Sequence, residues 1–209
     1  MIDLLLQGAL HTLQITTAAL AIGVIGGVGL GILNCRKCRL PIAGPLIQGF
    51  ILVIRGTPLF VQVLIFYFAL PEALGIDLSP FAAGVVALGL NSSAYVAEIV
   101  RCGIDSVPQG QWEAAHVLGY GRKLTLQSVI LPQMVRNVLP ALTNEMTTLI
   151  KESSILMVIG VAELTKVGRE IVARQLDPLP VYLMVAGIYF AMTTVVSVCA
   201  KHFEKRLQT

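Results

Sequence analysis

The chain has 209 residues, of which 56% are hydrophobic and 13% charged, and its mean hydropathy is +0.80. Soluble domains carry about a quarter charged residues, so the ordinary soluble class is excluded and a bilayer is the expected solvent. The formal charge of +3 does not point to nucleic acid, because the basic residues stand in small groups at the ends of apolar runs and not on one face.

The N-terminus, Met1-Ile2-Asp3-Leu4, has no basic stretch and no cleavage site follows its long apolar run, so that run is read as a retained first span. A hydrocarbon core of about 30 Å takes roughly 20 apolar residues in a helix. Five segments qualify, at approximately 12–33, 48–70, 79–101, 131–158 and 179–200. In the first, Ala19, Gly23, Gly27 and Gly31 repeat every four residues and line one face, which predicts a close helix–helix seam. The neighbouring glycines miss the G-x-G-x-x-G spacing, no strand precedes them, and no G-x-x-x-x-G-K-[ST] occurs anywhere, so the chain carries no phosphate cradle. Cys35 and Cys38 form a C-x-x-C in a basic loop, while Cys102 and Cys199 stand alone; without a doubled C-x-x-C they read as reduced structural thiols.

Charge inside a span is expensive, about 2.5–3.5 kcal/mol for Asp, Lys or Arg at mid-bilayer on insertion scales. Arg55, Glu98, Glu145, Lys151 and Glu152 are therefore expected to face protein or water. In the second span, Arg55 beside Gly56 and Pro58 reads as a brace for an irregular segment. In the third, Asn91, Tyr95 and Glu98 share a face, with Glu98 free to reach water or to pair with Arg101. In the fourth, Asn137, Asn144, Thr148 and Lys151 repeat that pattern, and Pro132 and Pro140 predict a kink or break. Two polar stripes describe either a hydrated path or hydrogen bonds that hold the bundle together. On the first reading Asn91, Tyr95, Glu98, Glu145 and Thr148 border the path, with Ser153 and Ser154 at a helix break near its outer end; Arg55, Lys151 and Glu152 are structural.

Between the third and fourth spans lies a water-compatible stretch, roughly 106–121. Ser106 and Pro108 suit a helix start, and Gly119 and Gly121 a left-handed stop. Ala114, Ala115 and Leu118 give the short helix a small apolar face fit for a groove, and Glu113 lies near its first turn. No Lys or Arg lies between Ser106 and Gly121, contrary to what a helix resting on a membrane surface needs. The segment is read as a docking element. The stretch from Gly160 to Pro180, mixed in charge through Glu163, Lys166, Arg169, Glu170, Arg174 and Asp177, is read as exposed on the opposite side.

Orientation follows from the basic residues near span ends. Arg36, Lys37, Arg39, Arg101, Arg122, Lys123, Lys201, Lys205 and Arg206 fall on one side, nine against the three of Lys166, Arg169 and Arg174. The nine belong in the cytoplasm, which puts the N-terminus outside and both the C-terminus and the docking element inside.

Glu113-Ala114-Ala115, three residues, Gly119, nine residues, Val129, one residue and Leu131-Pro132 resembles the EAA signature of ABC importer permeases, EAA-x3-G-x9-I-x-LP. Val129 stands where that family usually has Ile. Arg55-Gly56-Thr57-Pro58-Leu59, the run Ala94 to Arg101 with Gly103-Ile104, and Lys151-Glu152-Ser153-Ser154 are similar to the branch that takes up polar amino acids of the histidine, glutamine, arginine and glutamate type. The resemblance covers nearly the whole chain. It implies a single permease domain over residues 1–209, an all-α integral membrane protein of about five transmembrane helices with the fold of type I ABC importers. It also implies that Glu113, Ala114, Ala115, Leu118 and Gly119 belong to a coupling helix that engages a dimer of cytoplasmic ATP-binding subunits.

The implied partners are that ATPase dimer, a second permease subunit, identical or a sister chain, an extracytoplasmic solute-binding protein, a polar amino acid substrate and the lipid bilayer. The implied setting is a bacterial cytoplasmic membrane. The chain itself is expected to bind no cofactor and no metal and to perform no chemistry, ATP and Mg residing on the ATPase. An ion-coupled secondary transporter using Glu98 or Glu145 is the alternative, made awkward by the odd number of spans. A membrane enzyme would need convergent His, Cys or carboxylate groups, whereas His11, His116 and His202 lie far apart in sequence.

Overall fold

A computed structural model describes residues 1–36 and 41–208. Helix α1 (Ile2–Asn34) runs 33 residues without a break, starting well before the 12–33 span read from hydropathy. Its small-residue face is a contact seam. A Cβ on Gly27 would lie 2.5 Å from Val96 Cβ and 2.8 Å from the Ser93 carbonyl, and one on Gly31 would lie 2.6 Å from the Ala97 carbonyl. Backbone meets backbone along this line, as small residues permit in a bilayer.

The second span is not the straight helix expected over 48–70. α2 (Ala43–Gly56) and the helical stretch Leu59–Leu74 meet at 103°. Thr57 and Pro58 are extended at the break, as a residue before proline prefers. The second stretch comprises α3 (Leu59–Leu64), a wide π turn at Ile65–Ala69, and α4 (Leu70–Leu74), which ends on Gly75 at φ +65°. Helix α5 (Pro80–Asp105) follows, capped by Ser79, whose Oγ accepts from the Ala82 amide at 3.2 Å. It is the central helix, buried against α1, α2, α3 and the fourth span.

The short helix α6 (Gln109–Val117) leads to α7 (Arg122–Thr125), a second wide turn at Leu126–Ile130, and α8 (Leu131–Glu152). Both wide turns precede a Leu-Pro pair. The Leu70 amide bonds the Ile65 carbonyl and the Leu131 amide bonds the Leu126 carbonyl, each five residues back. Pro71 and Pro132 have no N–H to give, and their rings would strike the carbonyl four residues back, so the helix widens by one residue to pass them. Pro140, by contrast, sits inside α8 without ending it, so of the two prolines expected to disturb this span only Pro132 coincides with an irregular turn.

At Ser153 the backbone tightens into a 3₁₀ stretch, Ser153–Ile159, closed by Gly160 at φ +88°. α9 (Leu164–Gln175) and α10 (Pro178–Gln208) complete the chain. Among the described residues, three helices (α1, α5 and α10) are long and apolar enough to cross a membrane, or four when the bent pair is taken as one span. α8, at 22 residues, is about 33 Å long at 1.5 Å per residue but is too polar on one face to qualify by hydropathy. Asn137, Asn144 and Lys151 are exposed there while Met134, Val138 and Leu149 are buried. α10 turns Leu183, Phe190, Val195 and Val198 outward, as a lipid-facing helix should.

The segment Gly160 to Pro180 is only partly the exposed charged surface expected. Glu163 is fully buried. Its carboxylate caps α9, accepting from the Lys166 amide at 2.7 Å and the Thr165 amide at 2.8 Å, and takes the Tyr189 hydroxyl of α10 at 2.8 Å. The Leu164 amide bonds Thr12 Oγ1 of α1 at 3.2 Å, so three helices are tied at this point.

Candidate coupling segment and polar recess

The helix expected over 106–121 occupies Gln109–Val117, opening on Pro108. Ser106 closes α5 instead; its hydroxyl donates to the Gly103 carbonyl at 2.8 Å and accepts from Asn137 Nδ2 of α8 at 3.1 Å. Gly119 takes the left-handed conformation at φ +79°, its amide bonding the His116 carbonyl at 2.9 Å while the Tyr120 amide returns to Ala115 at 3.0 Å. These bonds satisfy the last carbonyls of the helix in the way glycine allows. Gly121 is not a second stop: at φ −69° it opens α7.

The helix presents a different face from the one its sequence suggests. Ala115 is buried toward the body of the protein, with Trp112 half-buried beside the α5–α8 core. Glu113, Ala114, Val117 and Leu118 are exposed, Val117 at 86% and Leu118 at 72%. Two bare aliphatic side chains at a helix tip have no role in this chain's own core and are available to a partner's groove. The far end of the motif is tied in, for Gln133 Nε2 donates to the Val129 carbonyl at 2.9 Å and to Gln111 Oε1 of α6 at 3.3 Å.

The intramembrane polar residues divide into two groups. Arg55, Tyr95 and Glu98 come together in a recess of about 620 Å³ between α1, α2 and α5, lined also by Asn34, Gln48 and Arg101. The Arg55 guanidinium lies over the Tyr95 ring, 5.1 Å from its centroid. Arg101 grips Glu98 with two bonds, Nη2 to Oε1 at 2.6 Å and Nε to Oε2 at 2.9 Å, and reaches Asp105 Oδ2 at 3.0 Å. Arg55, read from sequence as a brace, thus faces the same hollow as Glu98. The second group, Glu145, Thr148, Lys151 and Glu152 on the far half of α8 with Ser153 and Ser154 opening the 3₁₀ stretch, does not line this recess. Glu145 and Ser153 are buried; Ser153 Oγ bonds the Ile150 carbonyl and Ser154 Oγ the Lys151 carbonyl, both at 2.7 Å.

Asn91 belongs to neither group. It is buried and donates through Nδ2 to Gln62 Oε1 at 3.0 Å. Gln62 was not singled out from the sequence, yet its Nε2 lies 2.7 Å from the Ile54 carbonyl and 2.9 Å from Thr57 Oγ1. It satisfies backbone at the elbow between α2 and α3, where a bilayer offers no water. The available signal was a lone amide in an apolar run four residues after a proline.

Among the described residues no group of three or more His, Cys, Asp or Glu side chains could hold a metal ion. Cys35 is buried and Cys38 lies outside the described residues, so their pairing in sequence has no structural counterpart to describe.

Residues 23–209 match the family described as binding-protein-dependent transport system inner membrane component. The chain is 42% identical over 208 residues to the glutamine transport system permease protein GlnP of Escherichia coli K12, covering 99% of this chain and 94% of that one. It is 36% identical over 211 residues to the arginine transport system permease protein ArtQ of Bacillus subtilis, covering 100% and 94%. Among solved structures it is similar to an amino acid ABC transporter crystallised with histidines, at 40% identity and TM-score 0.91, covering 98% of this chain and 94% of that one. The MetNI methionine ABC transporter in an inward-facing form shares the fold at 18% identity and TM-score 0.86, over 99% and 97% of the two chains. On the match over residues 23–209 and the full-length relatives, the chain belongs to the binding-protein-dependent transport system inner membrane components, the permease subunits of ABC importers, whose ATP is hydrolysed by separate subunits.

Proposed function

We propose that this chain forms the membrane path of an importer for polar amino acids, working as a pair of permease subunits with two ATPase subunits at α6 and a solute-binding protein on the other face. The observation that carries the reading is the exposed Val117-Leu118 tip closed by Gly119 at the end of the EAA helix. A short rigid helix hydrogen-bonded to α8 through Gln111–Gln133, and joined to α5 by the short link Ser106 to Pro108, moves both spans when it is pushed, whereas a loose loop would absorb the stroke. The relatives' names, glutamine and arginine permeases, support the substrate class. The basic residues support an orientation with the N-terminus outside and α6 in the cytoplasm of a bacterial inner membrane.

Tyr95 and Glu98 in the recess, Glu145 and Thr148 along α8, and Ser153 and Ser154 at the start of the 3₁₀ stretch border the path in this reading, with Lys151 and Glu152 beside it. Asn91 contributes through Gln62 and not by facing the path. Mg and ATP act on the ATPase alone.

The test is reconstitution. The chain is co-expressed with its ATPase and binding protein, and uptake and ATP hydrolysis are measured in proteoliposomes across a panel of amino acids. Uptake that needs ATP and binding protein and survives collapse of the ion gradient supports the reading. Full-rate uptake by the chain alone, or uptake abolished by collapsing the gradient, defeats it.

A further inference from the structure

Leu176, between α9 and α10, is held as neither its backbone nor water favours. Its φ is +56°, and among the described residues it is the only one other than glycine at positive φ. A bulky side chain is an outlier there, where glycine or asparagine sits more easily. The conformation closes α9, the Leu176 amide bonding the Val172 carbonyl at 2.8 Å, and it leaves the leucine 84% exposed. α10 starts two residues later, and Leu179, Tyr182 and Leu183 are all exposed in its first two turns. Leu179, Leu183 and Phe190 fall on one stripe of the helix, the side of α10 that faces lipid. From Leu179 to Lys201, the first charged residue of α10, the helix rises through 22 residues, about 33 Å at 1.5 Å each, which matches a hydrocarbon core of about 30 Å. Leu179 therefore marks the edge of that core. Leu176, at most about 10 Å of chain before it, falls at the level of the headgroups.

We infer that the corner between α9 and α10 is seated in the lipid interface, Leu176 entering among the ester groups beside Leu179 and Tyr182, and Arg169 and Arg174 meeting lipid phosphates. Covering Leu176 with lipid removes its apolar surface from water and offsets the cost of its backbone. Tyr182, one turn inside the helix, stands where tyrosine gathers at membrane boundaries. On α9, Lys166 pairs with Glu170 at 2.8 Å, and Arg169 and Arg174, both exposed, lie in the field of the same carboxylate. Three cations share that one acid, and with Asp177 counted the corner still keeps an excess positive charge. Guanidinium matches phosphate with paired hydrogen bonds. A water-soluble partner would have to reach down into the headgroups to cover Leu176, where lipid already stands. Because α9 is bonded to α1 through Leu164 and Thr12 and to α10 through Glu163 and Tyr189, the seat sets the depth of three helices together.

The experiment uses the chain in complex with its ATPase, in nanodiscs of phospholipid brominated either near the glycerol end or near the tail end of the acyl chains. Leu176→Trp is compared with the wild type, whose own fluorescence, Trp112 included, is subtracted. The added emission should be at least halved by the shallow bromines and quenched less by the deep ones. A second variant reads the balance of backbone against lipid. Asparagine fits the backbone at position 176 better than leucine but does not partition into lipid, so Leu176→Asn should lower the midpoint of thermal inactivation in nanodiscs by about 2 °C or more. On a corner bathed in water the same change raises the midpoint. Should Leu176→Trp not assemble, the Leu176→Asn midpoint decides the matter. An absence of bromine quenching, stronger quenching by the deep bromines, an emission change seen only when the solute-binding protein is added, or an unchanged or raised midpoint in Leu176→Asn overturns the inference.

Discussion

Gln62 and Asn91 join two spans through one buried hydrogen bond, 3.0 Å long, at the place where one of those spans turns by 103°. Asn91→Leu leaves Gln62 Oε1 bare and should cost about 1–3 kcal/mol. Gln62→Leu also strips the elbow at Ile54 and Thr57 and should cost more. Because the residues touch, the double variant should lose less than the sum of the single losses. Denaturation of the detergent-solubilised complex measures all three, and strict additivity would show that the bond contributes nothing.

Gly119 holds a conformation that side chains resist by roughly 1–2 kcal/mol, and it lies next to the exposed tip of α6. Gly119→Leu is expected to leave membrane insertion intact and to reduce ATP-driven uptake at least ten-fold, with weaker co-purification of the ATPase. Gly119→Asn should be milder, since asparagine tolerates this backbone region. Uptake assays beside a membrane-fraction immunoblot separate lost coupling from lost protein.

The α1–α5 seam makes opposite forecasts for two glycines two residues apart. A Cβ on Gly27 would collide with Val96 and the Ser93 carbonyl, while one on Gly29 would meet nothing within 4 Å. Gly27→Ala should destabilise by about 1–3 kcal/mol through overpacking. Gly29→Ala should be neutral or stabilise by about 0.5–1 kcal/mol, as alanine does in helix interiors. Midpoints of thermal inactivation rank the two, and equal effects would refute the seam.

Glu163 is held above the usual carboxylate range mainly by burial, partly offset by the amides of Thr165 and Lys166 and the Tyr189 hydroxyl. A raised folded pKa contributes stability that is full below the ordinary glutamate range and is lost as pH rises through the shifted value. The wild type should therefore lose thermal stability relative to Glu163→Gln as pH is raised from about 4 toward neutrality. Glu163→Ala removes the helix cap and should cost about 1 kcal/mol at any pH. A melting series in buffered detergent checks both, and a pH-independent difference between wild type and Glu163→Gln would contradict the assignment.

Helix content, the long apolar helices α1, α5 and α10 and the α1 seam were legible because each depends on local composition: apolar runs of bilayer length, and glycine at four-residue spacing. The stop at Gly119 was legible for the same reason. The elbow at Thr57-Pro58 was not, since a hydropathy average over 48–70 cannot register a change of direction, and a proline after Gly-Thr is compatible with a kink or a full turn. Ala115 and Ala114 look alike in sequence, and which one faces inward depends on how α6 leans on α5 and α8. Glu163 sat among five charged neighbours and read as surface; only the packing of Tyr189 against it reveals a cap. In the recess, Tyr95 and Glu98 were visible from helical spacing, but Asn34 and Arg55 come from other helices and meet them only in three dimensions.

The polar flank of this subunit has a consequence for its life in the cell. Arg55, Asn144 and Lys151 are exposed within membrane-embedded helices, and hydrocarbon is a poor resting place for any of them. An orphan copy, released from the insertion machinery before its companions are at hand, would present quality-control proteases with a charged flank in lipid. Abundance of the chain should therefore track synthesis of the other subunits, with surplus copies cleared instead of stored.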